Sequence, residues 1–446
     1  MLTHDENVTL TRVTGDAPMG QLMRRHWVPA ALSEQLAEPG GTPVRLRLFG
    51  EDLVAFRDSE GRLGVLGEFC PHRKASLAFG RNEECGLRCL YHGWKFDVSG
   101  NVMEMPSEPR ESGFADRVKH LAYPVQEAGG FVWTYMGPPA SMPAFEPPPW
   151  APTGAEQVSV MRIDLPCNWA QIMEGQIDSA HSSSLHSSDM RPARVASAGA
   201  LDTHWTRPST DKSPRIQVQI TGYGMRYAAI RRPIMNAAVQ DYVRVTTYVA
   251  PFTALIPPNS TYNVASVIVP KDDTSSYFHF IAWGDPATCI GTDAWRKFCV
   301  AEPGVDLDAD FRPALRHAHN DYLQDRAAMK EGSFTGLPGI PNQDIAMWES
   351  MGRIADRTAE RLGASDIAVI QFRRLMLDAV ARFTDGADPI GLSQPRVAQA
   401  RLRSYQGLVA KTEDWRTLGA SSEERAMLDG IEENETEREM AQAAAQ

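Results

Sequence analysis

The chain has 446 residues, 43% of them hydrophobic, and a formal net charge of −11, enough for two or three packed globular domains. That charge argues against a nucleic-acid role, because phosphate contacts need a positive face; an anionic ligand would need a locally positive pocket. No run of eighteen apolar residues offers a membrane span, the opening Met1-Leu2-Thr3-His4 lacks an export signal, and six cysteines suit a cytoplasmic protein with reduced thiols.

In chain order, Leu22 to Trp27 reads as a short helix running into extended chain. Residues 43–66 alternate as strands, with turns at Gly50-Glu51 and Asp58–Gly61. Two loops follow, Cys70-Pro-His72 and, after sixteen residues, Cys89-Leu-Tyr-His92. Two thiolates and two imidazoles, mixed within each loop, are the ligand set of a Rieske [2Fe–2S] cluster, Cys70 and Cys89 serving one iron and His72 and His92 the other. A structural zinc site takes the same four ligands, but usually pairs Cys with Cys and His with His. Cys85, Cys167, Cys289 and Cys299 lack metal-like spacing and read as ordinary thiols. The strand 131–135 closes this β-domain, and a proline-rich connector, 137–152, marks a boundary.

Strand-like runs recur at 158–164, 215–221, 225–231, 241–250, 262–269 and 276–284. Helical spacing takes over from Asp344 to about Arg361 and from Asp366 to Phe383, with Ser365 as the N-cap of the second helix. The fold class is α+β: an antiparallel β-domain over 1–150, a second domain over 151–430 with an antiparallel sheet and long C-terminal helices, and an acidic mobile tail over 431–446. No internal repeat is present.

Between the two halves lies Asp178-x-x-His181-x-x-x-x-His186. Two histidines and a carboxylate on one face of a metal leave positions open for O2 and substrate, the arrangement of non-haem Fe(II) oxygenases. Five residues apart, the histidines would diverge by about 140° on an unbroken helix, so the helix must distort or end between them. Ser182-Ser183-Ser184 makes that reasonable.

Together, Cys-x-His-x16-Cys-x-x-His and Asp-x-x-His-x4-His resemble the α-subunits of Rieske non-haem iron ring-hydroxylating oxygenases over nearly the whole chain. Asn168-Trp169, the run 174–186, Gln343-Asp344, Asp356-Arg357 and Leu362–Asp366 resemble the phthalate 4,5-dioxygenase branch. The resemblance implies a helix-grip catalytic domain in which His181 and His186 bind mononuclear Fe(II). A late acid supplies the third ligand: Asp344, with Glu349 and Asp356 as fallbacks. It implies that Asp178 bridges His181 to a cluster histidine, His92, across a subunit boundary. It also implies Ser179, Arg207 and Arg244 as substrate contacts, while Arg226, Arg231 and Arg232 could equally serve a subunit contact. The implied reaction is cis-dihydroxylation of phthalate at positions 4 and 5, using O2 and electrons from NADH through a reductase, in a trimer or stacked trimers. The alternatives are a dioxygenase of a meta-substituted benzoate such as 3-chlorobenzoate, a Rieske monooxygenase or demethylase, and a Rieske electron carrier, which would need little beyond the first 150 residues.

Overall fold

A computed structural model describes residues 1–151, 153–154, 157–194, 205–393 and 397–428; the acidic tail lies outside the described residues. Among these no helix is long and apolar enough to cross a membrane.

The first half is built from short antiparallel strands. Val44–Leu48, Glu51–Arg57 and Leu63–Gly67 form a meander closed by Ala122–Tyr123, and a second sheet holds Arg81–Glu83, Gly86–Arg88, Lys95–Phe96 and Val102–Glu104. Val54, Phe56, Leu66, Leu87 and Phe96 pack between them in a small core that includes Cys70 and Cys89. Phe131–Tyr135 pairs with Trp27–Leu32 and Val125–Ala128 in a third sheet, and Phe131 leads on to the second half by meeting His279 edge-on at 5.1 Å. The N-terminal helix His4–Thr11 is also fastened to that half, with Asn7 Nδ2 donating to the Ala355 carbonyl at 3.2 Å.

The second half is one eight-stranded antiparallel sheet. From edge to edge it runs Val158–Leu165, Ser275–Trp283, Asn263–Asp272, Thr253–Ile256, Gln240–Val249, Gly224–Arg231 and Arg215–Thr221, with Tyr405–Ala410 also paired to Gln240–Val249. The helices Trp169–Ile177 and Ile367–Thr384 lie against the sheet; Phe372 of the long helix meets Trp169 at 6.0 Å and Tyr248 at 5.2 Å. The result is the expected α+β arrangement.

Two expectations need correction. The helix expected from Asp344 to about Arg361 is Ile340–Ser350: Gly339, at φ +78°, precedes it, and Gly352, at φ +89°, follows its end. Ser365 does not cap the long helix; it lies in a 3-10 turn, Ala364–Asp366, where Asp366 reaches back to the Gly363 N–H at 2.7 Å. The strands Thr253–Ile256 and Tyr405–Ala410 were not read from the sequence at all.

Candidate metal centres and an anion pocket

The two cysteine loops share one backbone pattern. In each, the cysteine N–H donates to the carbonyl five residues on (Cys70 to Ala75, 2.9 Å; Cys89 to Trp94, 2.8 Å). The N–H of the fourth residue returns to the cysteine carbonyl (Lys74, 2.9 Å; Gly93, 3.0 Å). That fourth residue is left-handed, at φ +61° and +77°. Gly93 is needed twice, since a Cβ there would also meet Pro106 Cγ at 2.8 Å. The loops put both thiols inside and both imidazoles half-buried at the rim, with ring centroids 4.4 Å apart and His72 stacked on Trp94 at 4.5 Å. Burial pushes the Cys70 thiol up to about 11, and Cys89 beside it adds to the rise. Coordination to iron reverses that, because a metal deprotonates a thiol outright. The four residues thus fit a cluster with its cysteine iron inward and its histidine iron at the edge.

The helix Trp169–Ile177 starts at Asn168, whose side chain accepts from the Ala170 N–H at 3.0 Å, and ends with Asp178 as its cap. The α-helix therefore stops before either histidine. A 3-10 turn, His181–Ser183, follows and is broken at Ser184, at φ −120° and ψ −67°. This change of path aims both imidazoles at one point: His181 Nε2 and His186 Nε2 are 3.0 Å apart. The helix Ile340–Ser350 brings Asp344 Oδ1 to 3.1 Å from His186 Nε2 and 3.6 Å from His181 Nε2. All three ligand atoms lie within 4.8 Å of one another, a set able to hold one metal ion. Burial disfavours charge on His181, yet the Asp178 hydrogen bond and the Asp344 and Asp178 charges outweigh it and raise its pKa. That negative surrounding suits a dication.

Neither fallback acid joins the set. Glu349 accepts from the Tyr322 hydroxyl at 2.7 Å, and Asp356 is an exposed residue bonded to Thr358. Asp178 holds the Ala180 N–H with Oδ1 at 2.7 Å, presents Oδ2 to His181 Nδ1 at 3.4 Å, and keeps its side chain 24% exposed.

Beside the triad sit three buried guanidiniums. Arg207 donates to the Ser182 carbonyl at 2.7 Å, Arg231 to the Ser179 carbonyl at 2.7 Å, and Arg244 to the Pro257 carbonyl at 2.9 Å and to Asn259 Oδ1. Among the described residues none of the three forms an ion pair with a carboxylate, and the buried Nε of Arg231 and of Arg244 has no hydrogen-bond partner. Burial, then the charges of Arg244 and Arg231, pull the Arg207 pKa down to about 9; burial and Arg244 pull Arg231 down to about 10. Cations buried without counter-charge are costly, a cost that an anion bound beside them would offset. Ser179 is buried, and its hydroxyl lies 3.4 Å from Arg231 Nη1.

Arg231 was left undecided by the sequence. The register supplies the missing signal: Ala229 pairs with Arg244, so Arg231, two residues on, shares the face of Arg244. The other two arginines of that group lie elsewhere. Arg226 donates to the Arg416 carbonyl at 2.6 Å and to that of Leu418, tying down the C-terminal segment, and Arg232 is exposed.

Comparison with known proteins agrees with this geometry. Residues 26–125 match the Rieske [2Fe-2S] domain, and residues 134–438 match the family described as LigXa C-terminal domain like. The chain is 60% identical to the phthalate 4,5-dioxygenase oxygenase subunit of Pseudomonas putida, covering 94% of this chain and 95% of the relative. This chain belongs to the Rieske ring-hydroxylating oxygenases. The oxygenase is also 37% identical to the 3-chlorobenzoate-3,4-dioxygenase oxygenase subunit of Comamonas testosteroni, over 93% of this chain and 97% of that one. Its fold is that of dicamba monooxygenase bound to dicamba, with a TM-score of 0.54 at 17% identity over 82% of this oxygenase and 99% of that chain. A Rieske cluster and a mononuclear iron are therefore its cofactors, with O2 and a reductase as partners.

Proposed function

We propose that the oxygenase cis-dihydroxylates an aromatic carboxylate: phthalate, O2, NADH and a proton give cis-4,5-dihydro-4,5-dihydroxyphthalate and NAD⁺. The observation that carries this reading is the set of three buried arginines without carboxylate partners beside the His181–His186–Asp344 triad. Fe(II) in that triad, with Cys70, His72, Cys89 and His92 holding the cluster that relays electrons, supplies the oxygen chemistry when bound. The protein's share is positioning. Arg207 and Arg244 grip the carboxylates through charge-assisted hydrogen bonds, Ser179 adds a hydroxyl, and the far edge of the ring is left facing the triad. Identity to the phthalate relative supports this substrate.

Asp178 links the centres between subunits in this reading, bonding His181 of its own chain and a cluster histidine, His92, of a neighbour. Its part-exposed carboxylate and the half-buried cluster imidazoles support a head-to-tail trimer or stacked trimers, served by an NADH-dependent flavin/iron–sulfur reductase in the cytoplasm.

Product analysis with phthalate, isophthalate, terephthalate and 3-chlorobenzoate in turn tests the reading. A cis-4,5-dihydrodiol from phthalate in preference to the others is expected. Turnover of 3-chlorobenzoate with phthalate untouched would transfer the site to a monocarboxylate, which needs a single clamp; a product with one oxygen inserted would make it a monooxygenase.

A further inference from the structure

We propose that Gln343 is a positioning residue that fixes the tautomer and ring plane of His186, so that Nε2 reaches the metal with its lone pair free. The inference rests on the reading that His181, His186 and Asp344 hold iron. Gln343 is 1% exposed, and its amide has three partners. Its Nε2 stands 2.7 Å from Asp189 Oδ2 and 2.9 Å from the Leu337 carbonyl, and its Oε1 stands 2.7 Å from His186 Nδ1.

A carboxylate and a backbone carbonyl accept hydrogen bonds and do not donate them. Asp189 and Leu337 therefore take the two N–H bonds of the amide. Flipping the amide would set its oxygen against two acceptors at once, so one orientation survives, with Oε1 toward the imidazole. A neutral imidazole has one N–H, and here it is on Nδ1, donating to Gln343. Nε2 keeps its lone pair, aimed at the point it shares with His181 Nε2 and Asp344 Oδ1. The two ligand histidines are thus oriented by different chemistry. His181 leans on the part-exposed carboxylate of Asp178, whereas His186 is locked by a sealed neutral amide whose own orientation Asp189 and Leu337 dictate.

The test is Fe(II) affinity of the full-length protein with its cluster intact and its mononuclear site emptied, together with the EPR signal of Co(II) placed there. Gln343→Leu keeps bulk and removes the acceptor; Asp189→Ala leaves the ligands and the amide untouched and removes one anchor. Gln343→Leu is expected to weaken Fe(II) binding by about 10- to 100-fold. Asp189→Ala should weaken it less, both variants should alter the Co(II) signal, and the cluster spectrum should stay unchanged. A lowered melting temperature with wild-type affinity and Co(II) signal would mark a merely structural role and overturn the proposal. Should Gln343→Leu fail to fold, Asp189→Ala decides alone by the same two readouts. If the wild-type protein binds no more Fe(II) than a His186→Ala control, the triad reading itself fails, a result distinct from equal binding by wild type and Gln343→Leu.

Discussion

Burial lowers the pKa of Arg207 only to about 9 and that of Arg231 only to about 10, so both keep their charge at neutral pH, and Arg207, Arg231 and Arg244 are 4%, 1% and 5% exposed. Their partners are carbonyls, hydroxyls, an amide and the Met190 sulfur, which orient a guanidinium without neutralising it. A carboxylate entering the pocket gains hydrogen bonds to charged donors, each worth about 1.5–3 kcal/mol. Arg207→Ala and Arg244→Ala should therefore each raise the KM for phthalate about 10- to 100-fold while the visible spectrum of the cluster is unchanged. Arg231→Ala is expected to raise it as well, because that guanidinium shares the strand face of Arg244. Steady-state kinetics on the three variants decide the matter: unaltered phthalate KM values in all of them reject the clamp.

At the scale of elements, the helix Trp169–Ile177 carries the iron motif on its C-terminal end and is anchored by Glu174. That carboxylate bonds Arg357 at 2.8 and 3.1 Å and Arg373 at 2.8 Å, joining the helix to the segment after Ile340–Ser350 and to Ile367–Thr384. Burial raises the Glu174 pKa, but the two arginines outweigh it and hold it below the usual 4.5. With the folded-state pKa depressed, the stabilisation is complete above about pH 4.5 and lost as pH falls through the lowered value. Glu174→Gln leaves the buried Arg357 without a carboxylate, while Arg373 keeps Glu360, and should cost about 3–5 kcal/mol. Thermal melts at pH 7 read this directly, and the gap between wild type and variant should narrow in acid. A variant that melts with the wild type at pH 7 would show that the network contributes nothing.

Much of this was legible from residues. The metal motifs announce themselves because cysteine and histidine at fixed short spacing have few other uses, and six long strands show as strand-like runs, with 215–220 alternating cleanly. What escaped was set by distant pairing. Tyr405–Ala410 contains Gly407, has mostly half-exposed or exposed side chains, and becomes a strand through Gln240–Val249, far earlier in the chain. Thr253–Ile256 is four residues long, too short for a pattern. Helical spacing ran past Ser350 because apolar Met351 and Ile354 keep the period, although Gly352 ends the helix. Arg231 could not be sorted from Arg226 and Arg232 until the register showed which of them faces Arg244.

For the whole molecule, the bridge proposed for Asp178 depends on a neighbouring subunit. Asp178 touches His181 and the Ala180 N–H within its own chain, and its side chain is partly exposed. Asp178→Asn preserves shape and removes the charge that the proposed bridge requires. Iron analysis and EPR should find both centres loaded, while single turnover slows about 10- to 100-fold. Wild-type single-turnover rates would refute the bridge.

The unneutralised pocket carries a last consequence. A dianion that seats there offsets two of the three buried positive charges and binds the native state in preference to the unfolded chain, so it must stabilise the fold by mass action. Substrate supply would then govern how long each copy survives heat and proteases.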